Sequence, residues 1–470
     1  MKKRTKLLAF LFAMLLVVAS LTACGNDDDT DTNKEADTTD EAKEGDEDKT
    51  ESADEIYFLN FKPEIAEVYD KVAADYEEET GVKVKVVTAA SGTYEQTLKS
   101  EIAKSDPPTI FQINGPVGYQ SWKDYTLDLK STDLYSYLSD PGLAVTSDDG
   151  VYGIPYVVEG YGIIYNNAIM DKYFALEDRA TEVASMDEIN NFETLKAVVE
   201  DMQANKDDLG IEGVFASTSM GPGEQWRWQT HTANMPLFYE FSDKAGDGDL
   251  IMAGLDSAEI DFSYAANFKN IFDLYINNSS TEKGLLGSKT TDDAMADFAL
   301  GKAAMVQNGN WAWGQVNEVD GNVVVEDDIK YLPIYTGVTG EENQGLCIGT
   351  ENYFSINSQA DEAKQKASIE FLEWLFTSDT GKKYVVEELG FIAPFNTFTD
   401  DEKPEDPLAK EVLAWMEKGV NSVPWTFATF PSEDFKNDFG DALLEYINGN
   451  MEWSEVETIV KDSWASEYSK

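Results

Sequence analysis

Among 470 residues there is one histidine, His231, and there are two cysteines, Cys24 and Cys347. A lone histidine excludes multi-histidine metal sites and gives a histidine-based triad nothing to build on, so His231 reads as an incidental polar residue. With Cys24 taken up by the N-terminal motif described below, Cys347 stands alone, which excludes an intramolecular disulfide and a cysteine metal cluster. Positive charge is scarce as well: 36 Lys and Arg face 89 Asp and Glu, a net charge of −53. No basic footprint exists for nucleic acid, and bare anionic lipid is an equally poor partner. The apolar run Leu7–Ala19 has thirteen residues, where a spanning helix needs about 20. No cofactor is expected.

What is present begins with an address. Lys2, Lys3, Arg4 and Lys6 precede that short apolar run, the layout of an export signal. "LTAC", Leu21 to Cys24, then resembles the lipobox of bacterial lipoproteins, in which the cysteine is lipidated and becomes the mature N-terminus. Residues 1–23 are thus read as signal peptide, and Cys24 as an anchor held by acyl chains at the cell membrane, facing outward. Residues 25–55 contain 15 Asp or Glu against 3 Lys and no aromatic, Val, Ile or Leu. They cannot bury enough apolar surface to fold, and 24–55 reads as an acidic tether. The body from 56 to 470 keeps 29 basic and 74 acidic residues, net −45.

That body is too long for one core and suits two domains. "IYFLNF" (56–61) reads as a buried strand, and Ile65, Val68, Val72 and Tyr76 mark a helix stopped by Gly81. "VKVKVV" (82–87), a helix over Thr93–Lys104 and the strand "TIFQIN" follow. Strand, helix, strand, helix, strand is the α/β pattern with a parallel sheet. Helical stripes recur in "FETLKAVVEDM", in 262–278, in 367–390 and in the last 50 residues. "GDGD" (246–249) has Ala245 and Gly254 where a calcium loop needs ligands, so it reads as a plain turn. "GNWAWG" (309–314) is unusual: in an extended segment Trp311 and Trp313 share a face, and the glycines leave space beside the indoles.

Three segments carry a resemblance. "AMADFALGKAAMVQNGNWAWGQV" (294–316) resembles the helix, GKAAM strand and GxW turn of family 1 extracellular solute-binding proteins. "YGIPYVVEGYGIIYNNAIM" (152–170) and 345–397 resemble that family's two lobe-to-lobe crossings. The pattern is similar to maltodextrin- and oligosaccharide-binding proteins of ABC importers and covers 56–470. It implies an α/β, two-lobe periplasmic-binding-protein-like fold with a hinge and an interlobe ligand cleft. The lobes would be 56–157 with 350–392 and 160–348 with 395–470. It implies a monomer that captures a carbohydrate by closure and delivers it to permease subunits, without catalysis.

The same resemblance assigns the site. Trp311 falls on the GxW tryptophan that stacks on a sugar ring, a rigid platform ordered at little entropic cost. Glu159 falls on the crossing-strand acid that accepts hydrogen bonds from sugar hydroxyls. Lys62 and Glu64 follow the first strand, where the family places a polar contact, and Asn114 ends the third strand at the cleft edge. Trp226 or Trp228 could stack, Arg227 could bind an acidic sugar, and Trp425 and Phe430 lie near a further aromatic position. "GNW" departs from the commoner Gly-Pro-Trp. "INGPVGYQSW" lacks the aromatic, acid and Arg of the maltodextrin branch, which points to a different specificity. A glycosidase would need a defined carboxylate pair, and no motif singles one out. A polyamine or peptide ligand on the same fold, and a surface glycan-capture or sensor lipoprotein uncoupled from transport, remain alternatives.

Overall fold

The computed structural model describes residues 55–469, apart from positions 91, 218, 351 and 400. The signal peptide, Cys24 and the tether lie outside the described residues, except for Glu55 at the tether's end. Among the described residues there are twelve strands: β1 Glu55–Asn60, β2 Lys83–Thr88, β3 Ile110–Asn114, β4 Val145–Ser147, β5 Gly150–Pro155, β6 Glu159–Asn166, β7 Gly213–Phe215, β8 Ala303–Gly309, β9 Ile329–Leu332, β10 Gln344–Gly349, β11 Asn352–Ile356 and β12 Asn421–Val423. They form two sheets flanked by helices, ordered β2-β1-β3-β11-β5-β4 and β12-β10-β6-β8-β7, with β9 also paired to β6.

The first sheet starts as the expected βαβαβ unit, with β1 parallel to β2 and β3. The Ala66–Thr80 helix ends where Gly81 takes a left-handed φ of 78° and donates its N–H to the Glu77 carbonyl, a conformation glycine adopts without a Cβ penalty. Ile56 and Phe58 pack against Tyr69 and Val72 of that helix, while Tyr57 and Leu59 face Tyr94 and Leu98 of the next one. A strand covered on both faces must be apolar throughout, which is why "IYFLN" does not alternate with polar residues. Beyond β3 the sheet turns mixed, because β11 runs antiparallel to both β3 and β5.

The second sheet is organised by β6, which is buried along its whole length. Tyr161, Ile163 and Tyr165 feed one core and Ile164 the other. Gly160 and Gly162 stand where neighbours come close: a Cβ on Gly160 would lie 2.7 Å from Val412, and one on Gly162 2.6 Å from the Leu332 carbonyl. The chain passes between the sheets after Pro155, after Gly349, and in the stretch around Ile392. These passages touch one another, with Val158 N–H donating to the Ile392 carbonyl at 2.8 Å and Thr350 Oγ1 to the Val157 carbonyl at 2.6 Å.

One reading of the sequence changes, and the turn reading of 246–249 stands. β8 ends at Gly309 and the chain winds into the Ala312–Asn317 helix, so Trp311 and Trp313 do not share a face. Trp311 packs on the core that holds Tyr161, Trp313 on the core beneath Ala312 and Val316. "GDGD" is a turn whose Asp249 caps the Leu250–Leu255 helix by accepting the Met252 N–H at 2.9 Å. Among the described residues no helix is long and apolar enough to cross a membrane, and no group of His, Cys, Asp or Glu is arranged to hold a metal.

Candidate ligand site

The site forms where the passages between sheets meet the loop after β1. Asn60 shapes that loop: its Oδ1 accepts the Lys62 N–H at 3.1 Å and its Nδ2 donates to the Lys62 carbonyl at 2.7 Å. With its backbone held, Lys62 extends Nζ to 2.7 Å from Glu159 Oε1 and 3.6 Å from Glu64 Oε1. Lys62 and Glu159 are both buried. Burial raises the Glu159 carboxyl pKa, and the Lys62 ammonium offsets only part of that rise. The same Nζ lies 5.5 Å from the Trp311 ring centre.

Trp311 is held by its neighbours. A Cβ on Gly309 would fall 2.1 Å from the Trp311 indole, so the ring folds back into space that only glycine leaves open. Asn310 donates its backbone N–H to the Gly160 carbonyl at 3.0 Å, and its Oδ1 accepts the Gly160 N–H at 2.9 Å. That pair of hydrogen bonds to the residue after Glu159 fixes the tryptophan and the acid relative to each other. A proline at 310 could make neither contact, since it has no N–H and no side-chain acceptor.

Around Trp311 the rings form a floor. Trp226 lies 6.2 Å away and His231 5.4 Å away, centre to centre. His231 stacks on Tyr161 at 4.4 Å and 11°, and Tyr161 OH donates to the His231 carbonyl at 3.0 Å. Phe427 and Trp425 complete the floor at 5.4 and 6.3 Å from His231. Trp425 crosses directly over Gly349, where a Cβ would lie 2.5 Å from the indole. Burial, reinforced by the charges of Arg227, Lys436 and Lys62, drives the His231 pKa well down, so the ring is neutral.

The structure thus gathers Lys62, Glu159, Trp226, Trp311 and Trp425. Asn114 is half-buried at the end of β3 with its Oδ1 unpartnered. Next to it, a Cβ on Gly115 would sit 3.5 Å from that of Ala428, beside Phe427 of the floor. Phe430 does not join the others: it packs edge-on to Phe435 and Trp464 inside the core. Of the residues that sequence reasoning missed, Tyr161 had a signal, its two-residue spacing from Glu159 along one strand. His231 and Phe427 had none. One buried ion pair over a bed of flat apolar rings suits holding a ligand with both apolar faces and hydroxyl groups.

Comparison with known proteins identifies the family and the fold. Residues 71–411 match the family model of the bacterial extracellular solute-binding proteins. The multiple sugar-binding protein of Streptococcus mutans serotype c is 22% identical over 398 residues, covering 83% of this chain and 86% of the relative. A chitin oligosaccharide binding protein superposes with a TM-score of 0.67 at 17% identity, covering 89% of this chain and 100% of that one. The solute-binding protein RafE in complex with raffinose gives 0.64 at 17% identity, covering 88% and 99%. The chain belongs to the bacterial extracellular solute-binding proteins, a family of binding proteins rather than enzymes.

Proposed function

We propose that this chain is the capture component of an ABC importer, taking up a carbohydrate, specifically an oligosaccharide, between two lobes. One lobe comprises 56–157 with 350–392, the other 160–348 with 395–470. The reading rests on one observation above all: Lys62, carried by the first sheet, meets Glu159 at the start of the second sheet, beside the Trp311 floor. A ligand there touches both halves, and binding energy available only in the closed state selects closure. Indole faces suit the apolar faces of sugar rings, and the ion pair suits their hydroxyl groups. Because Lys62 already neutralises Glu159, the site favours a hydroxyl-rich ligand over a polyamine. The relatives, a multiple sugar-binding protein, a chitin oligosaccharide binding protein and a protein in complex with raffinose, support the same class.

The protein acts as a monomer, held outside the membrane by lipid on Cys24 and delivering its ligand to permease subunits. Calorimetric titration of the full chain with an oligosaccharide panel tests the ligand class, repeated with Trp311→Ala and Glu159→Ala. A sugar that binds at micromolar affinity or better and weakens by roughly tenfold or more in both variants supports it. Binding of spermidine or a peptide with no sugar response overturns it. Metabolic labelling with palmitate, lost in Cys24→Ala, tests the anchor.

A further inference from the structure

Arg227 is a buried cation with one hydrogen-bonding edge unused. The residue is 1% exposed. Its Nη1 donates to Ser219 Oγ at 3.2 Å and Thr291 Oγ1 at 3.1 Å, and its guanidinium centre lies 4.6 Å from the Trp226 ring. Glu224 faces the same threonine, accepting from Thr291 Oγ1 at 2.7 Å and its N–H at 2.9 Å, so that acid spends its hydrogen bonds on the helix start, while its charge, with that of Asp292, still acts on the guanidinium. Nε and Nη2 of Arg227 are buried without partners. These two nitrogens form the side of the guanidinium whose N–H bonds run parallel, the fork that matches two carboxylate oxygens. Nη1 and the Trp226 ring fix the plane of that fork before any ligand arrives.

The surroundings hold more buried polar atoms without partners. They include the Tyr275 hydroxyl, which senses the Arg227 charge, Ser217 Oγ, and both ends of the Gln307 carboxamide. Ser217 follows β7 alongside Gln307 of β8, two residues beyond the Phe215–Met305 pair. Trp226 links this polar group to the ligand floor through Trp311. Hydroxyl groups could accept from the fork, but only a carboxylate meets its two parallel N–H bonds with two oxygens and brings charge into contact, whereas Glu224 and Asp292 act on the guanidinium through their charge alone.

On the reading that the site takes a saccharide, the geometry points to an acidic one: a sugar bearing a uronic carboxylate, received by Arg227 through Nε and Nη2 with Trp226 beside it. The net charge of −45 on the body repels such a ligand at long range. That repulsion is screened within about 10 Å at 0.1 M salt, whereas the fork acts at contact. Affinity for the acidic sugar therefore rises with salt, opposite to the trend for an exposed ion pair.

The experiment is calorimetric titration of the full chain with galacturonate oligomers and with glucuronate-substituted xylo-oligosaccharides, each against its neutral counterpart, the methyl ester or the unsubstituted chain. The expected result is an acid that binds at least tenfold tighter than its neutral partner, with the gap widening from 20 to 500 mM salt. Arg227→Lys, which keeps the charge and removes the fork, then weakens the acid at least tenfold more than it weakens the neutral sugar. Equal or tighter binding of the neutral sugar overturns the inference and leaves the carbohydrate reading standing, as does equal weakening of both by Arg227→Lys. Failure of every sugar, acidic and neutral, overturns both. The acid-against-neutral comparison on the unaltered protein needs no variant to fold.

Discussion

Lys62 Nζ and Glu159 Oε1 meet at 2.7 Å in a buried setting, although 97 residues separate them and they extend from different sheets. Two charges taken out of water stabilise each other only as a pair. Removing one strands the other at a cost of about 3–5 kcal/mol, while replacing both with apolar residues of similar size is close to neutral. Lys62→Met and Glu159→Leu are therefore each expected to lower the melting temperature and weaken ligand binding. Combining Lys62→Met with Glu159→Leu should recover stability but not binding, because hydrogen bonds to the ligand are still missing. Strict additivity of the two single losses in a thermal double-mutant cycle would show that the pair is not coupled.

Gly309 and Trp311 give a second expectation. A methyl at 309 falls 2.1 Å from the indole, and no rotamer of a Cβ relieves that overlap. Gly309→Ala must displace the ring and should weaken ligand binding nearly as much as Trp311→Ala, roughly tenfold. Trp313→Leu should leave affinity within about twofold, since that ring packs in a different core. Titration of the three variants decides it, and a normal affinity in Gly309→Ala would remove Trp311 from the site.

Asn310 carries the third. Gly160 N–H has the Asn310 side chain as its acceptor in a buried place, and an unsatisfied buried amide costs about 1–3 kcal/mol. Asn310→Ala should reduce stability to urea by that amount, and Asn310→Pro by more, since the backbone N–H to Gly160 is lost as well. If Asn310→Pro were as stable as the parent, the departure from Gly-Pro-Trp would have no structural role.

These positions mark how far the sequence could be read. The unit from β1 to β3 was legible because apolar spacing of three to four residues, and its absence in short runs, reports local geometry directly. Glu159 and Trp311 were legible only through resemblance, since one acid among 89 carries no signal of its own. The shared face of Trp311 and Trp313 failed because a local rule for strands was carried past Gly309, where the backbone turns helical. His231 was illegible for a different reason. It lies in Arg227–Thr232, six consecutive buried residues on a wide turn in which Ala233 N–H reaches back to the Trp228 carbonyl. Such a turn has no apolar period, and only the packing of Tyr161, Trp226 and Trp311 around it makes a polar ring part of the floor.

Asp406 sets a pH dependence away from the ligand. It caps the Pro407–Glu417 helix, accepting the Ala409 N–H at 2.9 Å, and lies beside Gly390, where a Cβ would be 3.6 Å away. Burial pushes its carboxyl from 3.8 up to about 6, with Glu326 adding to the rise and the helix N–H groups and Lys410 opposing it. The folded chain therefore holds a proton that the unfolded chain has released between about pH 4 and pH 6. Stability contributed by that proton is complete below the unfolded value and lost as pH rises through 6. Asp406→Asn keeps a cap of equal quality and carries no charge. It should melt higher than the parent at pH 7, with the difference vanishing near pH 4, where the parent carboxyl is protonated in the folded chain. Melting curves across pH 4–8 check this. A variant less stable than the parent at pH 7 would mean that the charged cap, through its attraction to the helix N-terminus, outweighs its own desolvation.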